Sequence, residues 1–203
     1  VEQSKAQGIE ARAAKRGNGM LWAVIAVCAA PMLLSYLTYY VVKPQSRSNY
    51  GALIDPRSHP IPALAGRDLK GQALELDAWR GKWIMLQADS GDCGEYCQKK
   101  LWEMRQLRLV TGKEMHRLER VWLVTDDKTP QTSLQSEFEG THIVRVNAET
   151  LRRWLPTEGN TSAADHIYII DPLGNLMMRF PKEGDPNRMK RDIGRLLKAS
   201  AIG

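Results

Sequence analysis

The chain reads as a layered α/β domain carried on one N-terminal membrane helix, and three observations lead there. Met20 to Val42 forms a run of 23 residues without a charge. Beyond about residue 63, short apolar runs of strand length alternate with segments of helical spacing, in the order β-α-β-α-β-α-β-β-α, which is the pattern of an α/β layer fold. The composition agrees with one such domain: 203 residues, 43% hydrophobic and 26% charged, with a mean hydropathy of −0.40. That is too rich in core formers for a disordered chain and too polar for a multi-pass membrane protein. Three cysteines are too few for a small disulfide-stapled scaffold. The net charge of +6 is modest, and it does not by itself argue for nucleic acid.

The apolar run predicts a transmembrane anchor. At 1.5 Å per residue it spans about 34 Å, enough for a hydrocarbon core of about 30 Å. Trp22 stands near one end and Tyr36, Tyr39 and Tyr40 near the other, as an interfacial belt requires. Pro31 lies mid-run, where a membrane helix tolerates it with an expected kink. A cleaved signal peptide has a shorter apolar core followed by small residues, whereas this run continues well past Ala29 and Ala30. Cys28 follows Val27 deep inside the run and reads as an apolar filler. Lys5, Arg12, Lys15 and Arg16 precede the span, against Lys43 and Arg47 just after it. The bias predicts a cytoplasmic N-terminus and a C-terminal domain on the far side, the periplasm in a bacterium. The expected organisation is a basic tail over 1–19, the anchor over 20–42, a Pro- and Ser-rich tether over 43–62, and the domain over 63–203.

Within that domain, Gly66 to Leu76 predicts a hairpin turning at Lys70-Gly71. Trp83 to Ala88 is a buried strand. Leu101, Met104, Leu107, Leu109, Val110 and Met115 fall near helical spacing. Val121 to Thr125 is a second buried strand closed by Asp126 and Asp127. A helix near Ser133–Glu139, a strand from His142 and a short helix Glu149–Leu155 follow. His166–Ile170 and Leu176–Phe180 form a hairpin around Asp171-Pro-Leu-Gly. Met189–Leu197 closes the chain as an amphipathic helix.

Cys93-Gly-Glu-Tyr-Cys97 is the stretch that carries chemistry. It follows a buried strand and opens a helix, where free backbone N–H groups and the helix dipole favour a thiolate. Spacing of four puts both sulfurs on one helical face. The pair suits a structural disulfide, a thiol–disulfide exchange site, or a soft metal ion such as Cu(I). Two thiolates leave a third ligand to be found, and four histidines are available. His59 lies in the tether, His116 on a charged helix end, and His142 at a strand start. His166 follows Asp165 and opens the strand expected to run beside the cysteine turn.

These residues resemble the Sco/SenC family of copper chaperones for cytochrome c oxidase, within the thioredoxin-like fold, over about residues 61–200. The matching stretches are Leu69-Lys-Gly-Gln, Arg80-Gly-Lys-Trp-Ile-Met-Leu, the Cys93/Cys97 pair, Leu101-Trp-Glu-Met, Val121-Trp-Leu-Val-Thr-Asp with Thr129-Pro130, and Asp165-His166 ahead of Ile169-Ile-Asp-Pro-Leu-Gly. The resemblance implies a copper site of two cysteines and one histidine, carried here by Cys93, Cys97 and His166. It also implies work in oxidase assembly, by Cu(I) delivery or by reduction of the oxidase's copper-site cysteines. The implied partner is a respiratory oxidase subunit or another periplasmic thiol client, met from a single-pass anchor in the inner membrane. Two features depart from the family: Gly94 and Gln98 stand where proline follows each cysteine, and His166 lies only two residues before Tyr168. The alternatives are a metal-free membrane-tethered thiol–disulfide oxidoreductase and an accessory protein with a static disulfide.

Overall fold

The computed structural model describes residues 2–42 and 49–200, in two compact units, 1–48 and 49–203. The first unit is one helix, α1 (Glu2–Leu37), continued by a π-helical turn over Thr38–Val42. It runs through Pro31 without interruption. Its Gly19–Tyr40 segment, 22 residues with a mean hydropathy of 2.1, is long and apolar enough to cross a membrane. The large apolar side chains along it are exposed, as a span awaiting lipid requires.

The second unit is built on one mixed sheet. Its strands among the described residues are β1 (Ala52–Leu53), β2 (Trp83–Asp89), β3 (Leu118–Val124), β4 (Thr141–Arg145), β5 (Tyr168–Ile170) and β6 (Leu176–Arg179), in the order β1-β6-β5-β2-β3-β4. Strands β2, β3 and β4 are parallel, with Trp83 opposite Leu118 and Val121 opposite His142. On the other side of β2, β5 runs antiparallel with Leu86 opposite Tyr168, followed by antiparallel β6 and β1. Among the described residues four α-helices pack on this frame: α2 (Glu95–Leu109), α3 (Thr132–Glu137), α4 (Ala148–Trp154) and α5 (Pro186–Ala199).

Period-two alternation along β2 divides the core. Ile84, Leu86 and Ala88 pack with Val121, Leu123 and the α4 residues Leu151 and Trp154. Trp83 and Met85 point the other way, against Met104 and Leu107 of α2 and Met189, Ile193 and Leu197 of α5. With both faces covered, β2 and β3 need near-continuous apolar runs, and that is what made them readable. Helix starts are capped where the sequence offers a cap. Asn147 accepts from the N–H groups of Glu149 and Thr150, and Asp185 from those of Asn187 and Arg188 with Pro186 just inside.

Several boundaries differ from the sequence expectation. The Gly66–Leu76 segment turns over Asp68–Gln72, but its arms form isolated bridges instead of a ladder: Arg67 meets Ala73 on one side and Arg145 of β4 on the other. Leu76 begins a 3₁₀ turn, Leu76–Trp79. The helix expected to reach Met115 stops at Leu109, because Gly112 takes φ +59° and the chain tightens into a 3₁₀ turn over Gly112–Arg117. Strand β3 starts three residues early, at Leu118. It can bury Glu119 because Lys82 donates to that carboxylate at 2.5 Å and His142 lies 3.3 Å from it. Arg120 is buried beside it and donates to the Glu139 carbonyl at 2.7 Å.

The tether expected over 43–62 is the largest difference. Residues 43–48 lie outside the described residues. From Tyr50 onward the chain packs into the domain: the N–H groups of Tyr50 and Gly51 donate to buried Asp192 at 2.7 and 2.8 Å, and Ala52–Leu53 pairs with β6. Pro- and Ser-rich composition describes a segment without regular structure of its own, and such a segment can still be pinned by a helix from the other end of the chain.

Candidate functional site

The two cysteines meet in a disulfide, Cys93–Cys97, with Cα atoms 5.1 Å apart. They occupy the junction between the C-terminal end of β2 and the N-terminus of α2, capped at Gly94. Cys93 sits at φ +41°, a left-handed conformation that costs a non-glycine residue about 1–3 kcal/mol. The loop is held from several sides. The Cys93 N–H donates to the Ser90 carbonyl at 3.2 Å, and the Gln98 side chain donates to the Cys93 carbonyl at 2.9 Å. Asp126, at the end of β3, accepts from the Ser90 hydroxyl at 2.6 Å and the Gly91 N–H at 2.9 Å. Those donors hold its carboxyl below the usual carboxylate range against the opposing effect of burial. Gly91 is required by proximity, since a Cβ there would lie 2.1 Å from the Lys128 carbonyl oxygen.

Both cysteines are buried, at 1% and 2% exposure, in an apolar cluster with Leu101, Trp122, Val124, Leu134 and Phe138. Behind them lies Gln87, fully buried. Its Nε2 donates to the Cys97 carbonyl at 3.4 Å, and its Oε1 is buried without a hydrogen-bond partner.

His166 is brought to the start of β5, the neighbour of β2, and both of its ring nitrogens are engaged. Nδ1 lies 2.8 Å from the Phe180 carbonyl and Nε2 lies 2.7 Å from the Thr161 hydroxyl. Burial pushes its pKa below the ordinary imidazole value, so the ring is neutral at pH 7. In that form Nδ1–H donates to the Phe180 carbonyl, and Nε2 faces the Thr161 hydroxyl, whose single proton also lies within reach of the Glu158 carbonyl at 2.6 Å. Among the described residues no three His, Cys, Asp or Glu side chains come together as a metal-holding group. The expected trio of Cys93, Cys97 and His166 is therefore not assembled in this oxidised form, because the sulfurs are bonded to each other and the imidazole to Thr161 and Phe180. His59, His116 and His142 make their contacts elsewhere: the ring of His59 meets the Asp55 carbonyl, that of His116 the Lys113 carbonyl, and that of His142 the Glu119 carboxylate and the Trp79 ring.

Around the first turns of α2 stands a cluster of charges that sequence reading missed. Lys100 and Glu103 are both buried and 3.7 Å apart. Burial lowers the Lys100 pKa and raises that of Glu103, each opposed by the other's charge. Lys100 Nζ also donates to the Lys182 carbonyl at 2.5 Å and lies 5.1 Å from the Tyr96 ring centre, while the Tyr96 hydroxyl donates to the same carbonyl at 2.9 Å. Lys182 bonds Asp165 at 2.8 Å and holds that carboxyl down to about 2. Tyr96, one of the three residues between the cysteines in sequence, thus grips the loop that joins β6 to α5. The only sequence signal was a lysine and a glutamate on the apolar side of an amphipathic helix.

The disulfide at a strand-to-helix junction of a mixed sheet is a thioredoxin-like arrangement, and comparison with solved structures bears out that fold and the expected Sco likeness. The copper-bound ScoI of Bradyrhizobium japonicum is similar, at 18% identity and a TM-score of 0.50, over 66% of this chain and 96% of that one. BsSco, a Sco-family cytochrome c oxidase assembly protein in which a disulfide switch was identified, is 13% identical with a TM-score of 0.54, over 72% and 96%. A thiol:disulfide interchange protein from Bacteroides sp. is 17% identical with a TM-score of 0.51, over 70% and 91%. No curated protein sequence matches the chain. The model of one sequence family does, over residues 83–200, more than half of the chain and the whole stretch from β2 through α5. By that match the chain belongs to the family of transmembrane-like, thioredoxin-like C-terminal domains.

Proposed function

We propose that the chain is a membrane-tethered, Sco-like thiol protein of respiratory oxidase assembly, working through the Cys93/Cys97 pair. The observation that carries this reading is the disulfide itself, closed across the N-terminus of α2. Its dithiol form would present two sulfurs beside free helix N–H groups, which favour thiolates. Two thiolates suit Cu(I), a soft ion, taken up as cargo. The same dithiol can instead reduce a client. One thiolate attacks a sulfur of the client disulfide, forming a mixed disulfide and expelling the client's other sulfur as thiolate. The second cysteine then attacks the mixed disulfide, which releases the client as a dithiol and leaves Cys93–Cys97 oxidised. Cys93 is the first attacker in this reading, because it lies just ahead of the helix N-terminus, where free N–H groups favour a thiolate. His166 would join as a third copper ligand only by giving up its bond to Thr161 or Phe180. The membrane anchor and the flanking charges support a single-pass inner-membrane protein with its domain in the periplasm.

The test is a Cu(I) competition titration on the anaerobically reduced full chain, paired with trapping of mixed disulfides in the Cys97→Ser variant. We expect Cys93→Ala and Cys97→Ala each to lower Cu(I) affinity at least about a hundredfold, as loss of one of two thiolate ligands should. His166→Ala should lower it less than about tenfold. Equal, weak copper binding by all variants together with no trapped client sinks the reading. The burial of both cysteines favours one other reading, a static disulfide, and a bond that resists dithiol reduction in the folded protein would establish it.

A further inference from the structure

The excess positive charge of this chain is confined to two places. Residues 1–18 carry four Lys or Arg against two carboxylates. Helix α5, Pro186–Ala199, carries five against one. Everything else holds twenty of each and is neutral overall. The α5 cations are Arg188, Lys190, Arg191, Arg195 and Lys198, all exposed. The helix's one carboxylate, Asp192, is buried and accepts the N–H groups of Tyr50 and Gly51. At 100° per residue, Arg191, Arg195 and Lys198 fall on the face opposite buried Met189 and Ile193. Lys190 and Lys198 also border a cleft with Val110, Lys113 and Glu114, whose carboxylate is paired with Arg117 at 2.8 Å. Arg195 lies 3.9 Å from buried Asp192, and the helix itself offers no exposed carboxylate on its outward face.

The place where the membrane segment joins the domain lies on this same helix. Tyr50 lies at the start of the described part of the domain: its N–H donates to Asp192 in mid-helix, and Arg188 stacks 5.0 Å from its ring centre. The apolar span ends at Tyr40. Ten residues reach at most about 35 Å when fully extended. The chain that follows the span is thus fixed to the cationic helix at Tyr50, and its covalent length alone limits how far that attachment point can stand from the end of the span.

We propose that the outward face of α5 binds an anionic bilayer surface, through Arg191, Arg195 and Lys198 with Arg188 and Lys190 at its flanks, and so orients the domain on the membrane that anchors it. Cations near an anionic surface gain from its potential and lose that gain within a Debye length of about 10 Å. A single charge gives little, and three on one face next to a covalent tether combine.

The test uses the full chain in lipid nanodiscs, with lysine acylation rates read by mass spectrometry. In nanodiscs containing about one third phosphatidylglycerol, Lys198 should react at least about fivefold more slowly than in purely zwitterionic ones. Lys70, exposed in the distant Asp68–Gln72 turn, should not change. The slowing should vanish at about 0.5 M salt and in the Arg191→Glu/Arg195→Glu variant. Equal Lys198 rates in the two bilayers overturn the proposal and leave the face to an acidic protein partner. Slowing of the same size in both bilayers overturns it too, since contact without charge selectivity is not headgroup recognition.

Discussion

Two polar residues tie the surroundings of the disulfide together: Gln87 donates to the Cys97 carbonyl, and Asp165 holds Lys182, whose own carbonyl accepts from Tyr96 and Lys100 of α2. Asp165 accepts from the Ser162 N–H at 2.8 Å and from Lys182. Lys182's hydrogen bond is the largest of the causes that bring its pKa to about 2. A carboxyl whose folded pKa lies below its unfolded value of 3.8 stabilises the fold above pH 4, and the contribution fades as pH falls toward 2. Lys182 is half exposed, so solvent screens the pair and the contribution is on the order of 1 kcal/mol. Asp165→Asn should therefore lower unfolding stability by about 1 kcal/mol at pH 7 and hardly at all near pH 2, as read by urea midpoints at the two pH values. A loss of the same size at both pH values would assign the effect to the Ser162 capping box instead of to charge. The sequence showed Asp165 beside His166 but not their partners, because Lys182, Thr161 and Phe180 arrive from loops and from β6. Gln87 was legible only as an amide inside an apolar strand; that it backs onto Cys97 depends on how α2 folds over β2.

Helix α2 carries the cysteines at one end and a buried ion pair one turn further on. Removing one member of such a pair strands the other charge in the core, which costs about 3–5 kcal/mol, whereas replacing both with apolar side chains is often nearly neutral. Lys100 holds the Lys182 carbonyl as well, so its loss also frees the β6–α5 loop. We expect Lys100→Met to cost about 3 kcal/mol and Lys100→Met/Glu103→Leu to cost clearly less, a non-additivity that a double-mutant cycle measures directly. Additive costs would show that the two charges are solvated independently. At this scale the sequence was informative wherever a long pattern existed. β2 and β3 announced themselves as apolar runs, and α5 by its amphipathic spacing. It was weak where long-range partners decide. Strand β1 is two residues long and exists because β6 offers an edge. Strand β3 extends over Glu119 and Arg120 because Lys82 pairs with the carboxylate and a carbonyl from the turn before β4 accepts from the guanidinium.

Over the whole molecule, the sequence separated a membrane segment from an α/β domain by charge and hydropathy alone, since both properties are set by composition over long windows. The four-to-two distribution of Lys and Arg around the span carries its own prediction, because positive charge is retained in the cytoplasm. A reporter that works only after export should be active when fused behind Gly203 and silent when fused ahead of Met20. The reverse pattern would invert the topology and remove the oxidising compartment in which Cys93–Cys97 would persist.

The folded domain takes in residues ahead of 63 because Tyr50 and Gly51 owe their place to Asp192, about 140 residues away, and two truncations test that dependence. A chain beginning at Asn49 keeps both hydrogen bonds to Asp192, strand β1 and the Tyr50 ring under Arg188. It should be soluble and unfold cooperatively. A chain beginning at Ile54 loses all of these and leaves Asp192 buried without its two N–H donors. Hydrogen bonds to a charged acceptor contribute about 1.5–3 kcal/mol each, and Arg195, 3.9 Å from Asp192, is the partner that remains. The shorter chain should accordingly be at least about 3 kcal/mol less stable by urea denaturation. Part of the deficit should return in Asp192→Asn, which removes the buried charge. Equal stability of the two truncations would mean that the segment from Asn49 to Leu53 is held only by its connection to the membrane helix.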